Sequence, residues 1–427
     1  MCSTPSARSS IRHAKFDVAG QLSTGFGLFN SMHPLGAATF TWECTVIGPI
    51  PTFPIAVFST TREKNGTAYI RDVLARERPE TFCAIRTYGE FARWAWKRRE
   101  QEPVVFALSD SHYLYAAAVL RRVAPRARLV LAVFHPDQWS VSGDARVSRT
   151  RAEVMRRVIG EMTMDEIIFG TWLEYEACRG RLSPGDPKFI LGPVAPDPPP
   201  RYAPAHLGPG TPLRIVTVGR LVPFKTQSIL SMVGAVERMR DRGIDARYTI
   251  IGEGPDDAAI RQRTASSRHA SAFAVPGPCE SDAFATAIAG HDVFFGMGLA
   301  AIRAALLGMP TLLARFRDDS PASNGFMSTY PDVHDPVLGG TELGAPGIPL
   351  DATLADLDRM DAATLRFLGA SDEKMGERYT IAAIGPRLTR DLTAAPRAMP
   401  KVTLREIATM RIETWVSRLR GRRAIDA

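Results

Sequence analysis

The 427-residue chain lacks the features of a membrane-spanning, disulfide-stabilised or fibrous protein. No segment approaches about 18 uninterrupted apolar residues, so no membrane-spanning helix is predicted. The five cysteines lie far apart and form no CxxC pair, which argues against a disulfide framework or a zinc knuckle and indicates a reducing compartment. The 34 glycines and 32 prolines are too few for a collagen-like or wholly disordered chain. We expect a globular protein of two domains.

The N-terminus carries no secretory signal that we can identify. Residues 1–16 are polar and basic, and no apolar stretch of signal-peptide length follows them, so we expect a cytoplasmic protein. The formal charge is +8, and from Ala394 onward there are eight basic residues against three acidic ones. A basic surface can attract nucleic acid, an anionic membrane or phosphorylated substrates.

From about residue 100 onward, apolar runs of strand length alternate with amphipathic stretches of helical spacing. This alternation predicts the α/β class, with parallel sheets and crossover helices. The predicted strands are Val104–Leu108, Leu129–Phe134, Glu166–Phe169, Leu213–Val218, Tyr248–Ile251, Ala272–Val275, Val293–Phe295 and Thr311–Ala314. The predicted helices between them are Leu114–Arg122, Thr226–Arg242, Asp256–Ser266, Asp282–Ala289 and Leu299–Leu307.

The proline-rich stretch around residues 192–212 indicates a linker, because eight prolines exclude a helix or a central strand. We therefore predict four parts: a domain over 1–195, a linker over 196–212, a second domain over 213–395, and a basic C-terminal helix over 396–427. The first 90 residues are less clear: Val46–Ile50 and Ile55–Phe58 resemble strands and Tyr88–Arg99 a helix, in an order that the pattern leaves open. Later segments predict a helix over Leu354–Phe367, loops over Arg315–Pro349, and an amphipathic helix over Thr403–Arg420.

Two cations follow the strand Leu213–Val218. The turn Gly219-Arg220-Leu221-Val222-Pro223-Phe224-Lys225 places Arg220 and Lys225 at the carboxyl edge of a parallel sheet, where ligands bind. Lys225 is the only lysine between Lys188 and Lys374 in a chain that mostly uses arginine. Glycine and proline in this turn suit a loop that faces phosphate. The alternative is a pair of solvated cations that flank a turn.

Two further strands end in glycine turns. Gly252 and Glu253 follow one of them, where a glycine lets the backbone approach a ligand or turn into the next helix. Gly296, Met297 and Gly298 follow the other and precede a helix whose free backbone N–H groups could bind an anion. Together with Arg220 and Lys225, these turns predict a phosphate site.

The motifs of the C-terminal half, taken in their order along the chain, resemble those of the glycosyltransferases of the GT-B fold. The resemblance is to the retaining bacterial nucleotide-sugar transferases of glycosyltransferase family 4 in particular. The resemblance rests on VGRLVPFKT, YTIIGEGP, a short strand with Gly277, HDVFFG, and GMGLAAIRAALLGMPTLLA. It implies two Rossmann-like domains that face a cleft, with an acceptor side before the linker and a nucleotide-sugar site after it. It also implies transfer of a sugar to a glycan or lipid-linked acceptor in cell-surface polysaccharide synthesis, with no metal and no other cofactor.

The resemblance assigns the donor diphosphate to four residues, Arg220, Lys225, Gly296 and Gly298, and places Gly219, Gly252, Glu253, Met297 and Arg303 as other donor-site candidates. The family usually carries two glutamates, eight residues apart, that serve the donor sugar and the ribose. Phe295 and Arg303 stand at those positions in this chain, and neither can accept a hydrogen bond from a hydroxyl. Arg303 could instead hold a phosphate, or it is a solvated helix residue.

The N-terminal half matches the family more loosely. Asp110 and His112 follow one strand, and His135 follows the next, at positions where the family commonly has histidines facing the cleft. The resemblance makes His135 the catalytic candidate, by acceptor-side or donor-sugar contact, and Asp110 and His112 acceptor-side candidates. Both histidines could alternatively form local turn hydrogen bonds. Histidine can donate, accept or transfer a proton at neutral pH.

The basic tail helix has two interpretations, and so has the whole protein. We expect the apolar face of the helix to pack back on the first domain, with Trp415 and Leu419 in the core, while its arginines could contact an anionic inner-membrane surface. That face carries Leu404, Ile407, Ala408, Ile412, Trp415, Val416 and Leu419. No nucleic-acid-binding signature accompanies the charge, so nucleic acid is not an expected partner. The missing glutamates leave open a catalytically silent GT-B protein that acts as an assembly partner, and a sugar-nucleotide epimerase is a further alternative.

Overall fold

The computed structural model describes residues 53–59, 66–134, 149–183, 185–190, 202–315, 320–329, 347–397 and 399–423. Its first sheet has six parallel strands in the order β2-β1-β3-β4-β5-β6. The strands are β1 (Ile55–Phe58), β2 (Phe82–Ile85), β3 (Val104–Ala107), β4 (Arg128–Val133), β5 (Ile167–Phe169) and β6 (Lys188–Phe189). The central strands are continuous buried runs, as expected where helices cover both faces of a parallel sheet.

Five helices connect these strands: α1 (Gly66–Glu77), α2 (Tyr88–Lys97), α3 (Asp110–Val123), α4 (Arg149–Glu161) and α5 (Trp172–Cys178). Polar caps fix where two of them begin. Thr87 and Glu90 form a reciprocal capping box at the start of α2, and the hydroxyl of Ser109 accepts from the backbone N–H of His112 at the start of α3. The caps place Tyr88 and Asp110 at the carboxyl edge of the sheet.

The second sheet has seven strands in the order β13-β12-β11-β10-β7-β8-β9. They are β7 (Leu213–Val218), β8 (Ala246–Ile251), β9 (Phe273–Gly277), β10 (Val293–Gly296), β11 (Thr311–Ala314), β12 (Ala322–Phe326) and β13 (Ile348–Pro349). The prediction of loops over Arg315–Pro349 is wrong at β12 and β13, which pair antiparallel at the edge of the sheet. The sequence ASNGF has little apolar character, and its pairing with β11 rather than its composition makes it a strand.

The helices of this half are α6 (Pro223–Asp241), α7 (Asp257–Ala265), α8 (Phe284–Ile288), α9 (Leu299–Leu306), α10 (Leu350–Arg359) and α11 (Ala362–Glu377). The single helix predicted over Leu354–Phe367 is in fact the end of α10 and the start of α11. The side chain of Asp361 accepts from the backbone N–H of Thr364 and begins a new helix. The two sheets, which are parallel except at β12 and β13, and their connecting helices confirm the predicted α/β class.

The last two helices, α12 (Ile381–Ala394) and α13 (Leu404–Arg423), pack on the first half of the chain. Ile384, Leu388 and Leu392 of α12 join the core of the first sheet, although the predicted second domain ran to residue 395. Residues 191–201 of the linker region and Val46–Ile50 lie outside the described residues, and the domain boundaries stay predictions.

Helix α13 packs against α3 and α4, and it buries a different face from the one predicted. Ile407 and Met410 are its buried apolar residues, whereas Leu404, Ile412 and Trp415 are exposed. The expectation that Trp415 lies in the core is therefore wrong, because 63% of its surface is exposed. Leu419 lies where side chains are not described. None of the described helices is long and apolar enough to cross a bilayer.

Candidate functional site

The second sheet has its topological switch point between β7 and β10, which are adjacent but whose other neighbours lie on opposite sides. In open α/β sheets, ligands bind outside the carboxyl ends of the strands at such a point. Here the β7–α6 turn meets the β10–α9 turn. The hydroxyl of Thr217 on β7 donates to the carbonyl oxygen of Phe295 on β10 at 2.5 Å and contacts the hydroxyl of Tyr248 at 2.7 Å. These bonds hold the two turns together.

The β7–α6 turn presents the two predicted cations. Gly219 follows the strand, Arg220 is exposed, and Pro223 begins helix α6 with its fixed backbone angle. Lys225 lies in the first turn of that helix and is half-buried. A Cβ at Gly219 would lie 3.3 Å from the Lys225 Nζ atom, so the amine sits directly against the backbone of the turn.

The β10–α9 turn brings a helix N-terminus to the same place. Gly296 and Met297 are buried, and Gly298 has φ 70° and ψ −151°, a conformation that L side chains rarely adopt. No side chain caps the helix at Gly298, so backbone N–H groups of the first turn of α9 have no side-chain acceptor there. The turn therefore supplies a positive dipole end beside the two cations.

A cavity of about 20 Å³, the size of roughly one water molecule, lies between the two turns. Its lining includes five of the predicted donor-site residues, which are Gly219, Arg220, Lys225, Gly296 and Met297. The rest of the lining is Thr217, Val218, Ser228, Ile229, Phe295 and Ala314, of which sequence reasoning singled out only Phe295. Thr217 occupies an inward strand position that looks like an ordinary core residue in the sequence.

The electrostatics of this site favour an anion. Burial and the nearby Arg220 guanidinium lower the pKa of the Lys225 amine. Across the described ranges, neither cation forms an ion pair with a carboxylate, and no acidic side chain lines the cavity. A bound anion would relieve the repulsion between the two cations. Within the same ranges, no three His, Cys, Asp or Glu side chains lie together as a metal site.

Gly252 and Glu253 support the site through their backbone. A Cβ at Gly252 would lie 1.9 Å from the carbonyl oxygen of Gly219, so only glycine permits this approach. The carbonyl oxygen of Glu253 accepts from the N–H of Leu221 at 2.9 Å, while the Glu253 side chain is exposed. The close approach is thus to the neighbouring turn, and it fixes the path of the turn that carries Arg220.

Phe295 and Arg303, at the positions of the family's two glutamates, have separate surroundings. The Phe295 side chain is buried in the core beneath the cavity. Arg303 lies on α9 and stacks over the ring of Phe284 at 4.1 Å. Its Nη2 atom donates to the carbonyl oxygen of Ser281 at 2.7 Å. Arg303 is outside the cavity lining, and these contacts attach α9 to the segment after β9.

The acceptor-side candidates in the first half are buried and engaged. Asp110 forms an ion pair with Arg151 of α4, and Arg151 Nε donates to it at 3.1 Å. The His112 Nδ1 atom contacts the Ser109 hydroxyl at 2.6 Å, and burial lowers the pKa of His112 to about 4. His112 is therefore neutral at pH 7 and also packs against Phe58. His135 lies outside the described residues.

Comparison with solved structures identifies the fold. The lipopolysaccharide outer core galactosyltransferase WaaB, in its apo form, superposes with a TM-score of 0.51 at 12% identity, covering 79% of this chain and 98% of that one. A GtfA/B complex matches at 14% identity with a TM-score of 0.47, covering 72% and 60%. A UDP-forming α,α-trehalose-phosphate synthase from Burkholderia xenovorans matches at 13% identity with a TM-score of 0.43, covering 78% and 86%. No protein-family model and no curated protein sequence matches the chain. The match to the galactosyltransferase, over nearly its whole length, gives this chain the GT-B fold.

Proposed function

We propose that the protein is a glycosyltransferase that takes a sugar from a nucleoside diphosphate sugar. The observation that carries the proposal is the convergence of Arg220, Lys225 and the N-terminus of α9 at the switch point of the second sheet. Two cations without a carboxylate partner in the described residues, beside free backbone donors, suit a diphosphate. The fold supports the proposal, since WaaB is a galactosyltransferase.

In this reaction the bond between the anomeric carbon of the sugar and the diphosphate breaks. The oxygen of an acceptor hydroxyl takes its place, and a proton and the nucleoside diphosphate are released. Negative charge therefore develops on the leaving diphosphate. Arg220, Lys225 and the backbone of Gly298 and the residues after it would stabilise that charge through preorganised donors, which is a large catalytic effect in a water-poor site.

The proposal also covers the molecule that receives the sugar and the residue that contacts it. We assign sugar or acceptor contact to His135, by resemblance, and the class of acceptor to a glycan or a lipid-linked sugar. Asp110 and His112 act by shaping this side, since an ion pair with Arg151 and a bond to Ser109 already engage their polar atoms. Phe295 replaces a carboxylate with an apolar wall, so the donor sugar must be held by other groups.

The test is calorimetric titration of the full chain with UDP, GDP and ADP and with their common sugar conjugates. One diphosphate series should bind, and Arg220→Ala and Lys225→Ala should each weaken its binding by about tenfold or more, as expected for a charged hydrogen bond. Lys374→Ala and Arg366→Ala remove exposed cations elsewhere and serve as matched controls. Binding of no nucleotide, or equal losses in the controls, contradicts the proposal.

Turnover is measured separately with the nucleotide sugar that binds best. Release of nucleoside diphosphate, in the presence of a glycan or lipid-linked acceptor, supports transfer. Binding that both site variants weaken, without sugar transfer or donor hydrolysis, instead supports the catalytically silent protein that the loss of both glutamates suggests. This outcome would reject the enzymatic part of the proposal and keep the donor site.

A further inference from the structure

A second and larger cavity lies between the helices of the first sheet and the C-terminal helix, and it shares no lining residue with the cavity of the donor site. Its volume is about 360 Å³, within the range of roughly 300–1,000 Å³ that is typical of small-molecule sites. Helices α2, α3 and α4 form one side, and the C-terminal helix α13 closes the other. The lining residues are Tyr88, Ser111, Leu114, Tyr115, Arg151, Ile407, Met410, Arg411 and Trp415.

The C-terminal helix is held in place by contacts on both flanks of this cavity. Glu413 accepts from the hydroxyl and the backbone N–H of Thr150 at the start of α4. Glu406 pairs with Arg157 at 2.9 Å, and Ile407 is buried against the first domain's core. Both acidic residues of α13 within the described range are thus engaged by groups on α4, and Arg151 of the lining pairs with Asp110.

One wall of the cavity carries Arg411, which stacks on aromatic rings and forms no ion pair with a carboxylate in the part of the chain that the structure describes. The Arg411 guanidinium lies 3.9 Å from the centre of the Tyr88 ring and 5.8 Å from that of Tyr115. The two rings meet edge to face at 4.6 Å, and the Tyr115 hydroxyl donates to the Tyr88 carbonyl oxygen. Stacking on aromatic faces orients a guanidinium and leaves its N–H edge able to bind an anion. None of the described residues that line the cavity is acidic.

The remaining walls are apolar and reach the surface. Leu114, Ile407 and Met410 are buried in the lining, and Trp415 combines a place in the lining with 63% exposure. The exposed Ile412 lies next to Trp415 on the outer side of the same helix. A sugar would find few acceptors here, because the walls offer hydroxyls and arginines and no carboxylate or amide. An apolar body with an anionic head matches both kinds of wall.

We propose that this cavity binds an anionic amphiphile, with a phosphate head against Arg411 and an alkyl chain along Leu114, Met410 and Trp415. The chemistry is a phosphate-headed alkyl chain, which can come from a free lipid phosphate or from a phospholipid headgroup. The site does not depend on glycosyl transfer. The test of this site contains no nucleotide, so its failure would leave the proposed glycosyltransferase function intact. Failure of nucleotide binding would likewise leave this proposal intact.

The experiment titrates the full chain with octyl phosphate, below its micelle concentration, by calorimetry. Inorganic phosphate tests the head alone, and octyl glucoside tests the same chain with a neutral head. Octyl phosphate should bind at least about tenfold more tightly than either, because each supplies only one of the two interactions. Equal binding of octyl phosphate and inorganic phosphate, or of octyl phosphate and octyl glucoside, overturns the proposal.

Matched variants on the same helix locate the bound molecule. Arg411→Gln should weaken binding of octyl phosphate by about tenfold, and Arg411→Lys should retain most of it. Arg405→Gln removes the same charge from an exposed position outside the lining and should change affinity less than about twofold. Trp415→Ala should weaken binding, whereas Ile412→Ala, an equally exposed apolar residue outside the lining, should not. Equal effects of R405Q and R411Q would show diffuse attraction to a basic helix and reject the cavity.

A competition experiment separates the two sources of the ligand. Vesicles of phosphatidylcholine, with and without phosphatidylglycerol, are added to the complex with octyl phosphate. Displacement only by the anionic vesicles identifies a membrane headgroup as the source, and absence of displacement identifies a soluble lipid phosphate. A third outcome is that R405Q and R411Q reduce vesicle binding equally and that anionic vesicles do not displace octyl phosphate from the wild type. This outcome excludes the cavity as the membrane contact.

Discussion

Glu413 in the C-terminal helix caps the start of helix α4 through Thr150, which is more than 260 positions earlier in the chain. The Thr150 hydroxyl donates to Oε1 at 2.6 Å, and its backbone N–H donates to Oε2 at 3.2 Å. A carboxylate at this end of a helix satisfies an orphan donor and complements the helix dipole. The contact ties α13 to the N-terminus of α4.

Removal of this cap should destabilise the protein. Glu413→Ala is expected to lower the free energy of unfolding by about 1–2 kcal/mol, the usual cost of losing a capping acceptor. Urea unfolding at pH 7 measures the change. Glu161→Ala removes an exposed glutamate at the other end of α4, where a carboxylate has no favourable dipole interaction, and serves as the control. Equal losses in both variants would contradict a capping role.

Lys225 should make diphosphate binding depend on pH. Burial and Arg220 lower its pKa in the free protein, and a bound diphosphate would raise that pKa again, so binding is coupled to proton uptake. Affinity should be constant below the pKa of free Lys225 and fall with rising pH above it. Calorimetry from pH 7 to about 10 with the nucleoside diphosphate that binds best measures this. Lys225→Arg stays charged, and its affinity should vary much less; an identical pH profile would remove Lys225 from the explanation.

Gly252 and Gly298 should respond differently to substitution. Gly252→Ala forces a Cβ to within 1.9 Å of a backbone oxygen of Gly219, and we expect a loss of about 3 kcal/mol together with weaker nucleotide binding. A Cβ at Gly298 meets no neighbouring atom, but its backbone has a φ of 70°, which strains an alanine. We expect Gly298→Ala to lower the free energy of unfolding by about 1–2 kcal/mol. Urea unfolding of both variants checks the order, and a larger loss at Gly298 would contradict the packing argument.

His112 should contribute to loss of stability in acid. Its pKa is about 4 in the folded protein and about 6.5 when unfolded, so the unfolded chain binds more protons between these values. Stability is therefore lost as pH falls from 6.5 toward 4, by up to about 3 kcal/mol. His112→Phe keeps an aromatic ring beside Phe58 and cannot titrate. Its unfolding free energy should fall less than that of the wild type between pH 7 and 4.5, and parallel curves would show that His112 is not the group responsible.

The strands that the sequence predicted best are the buried ones. The predicted bounds of Leu213–Val218 and Thr311–Ala314 agree with the structure at both ends, because short and mostly apolar runs between turn residues are typical of buried strands in a parallel sheet. Strand β2, whose residues Phe82 and Cys83 are half-buried at the sheet edge, gives no such signal and was missed. Helix α12 was missed for another reason: Pro386 lies inside it, and packing on α1 outweighs that proline.

The sequence predicted that Arg220 and Gly296 lie close together, because parallel strands present their carboxyl ends at the same edge of a sheet. It could not identify what Gly252 approaches, since that depends on the path of the neighbouring turn. The larger cavity was beyond sequence reasoning. Tyr88 and Arg411 face each other from elements more than 300 positions apart, and no local periodicity records such a pair.

The packing of α12 on the first sheet has a consequence for how the protein is made. Ile55 and Val57 share a core with Ile384 and Leu392, which the ribosome adds more than 300 residues later. Helix α1 shares this core, and the part that α12 covers waits for α12 for a time on the order of tens of seconds at ordinary rates of synthesis. A nascent chain that stalls before residue 381 exposes this part to chaperones and to other nascent chains. The core of the first sheet is therefore complete only after α12 has been made.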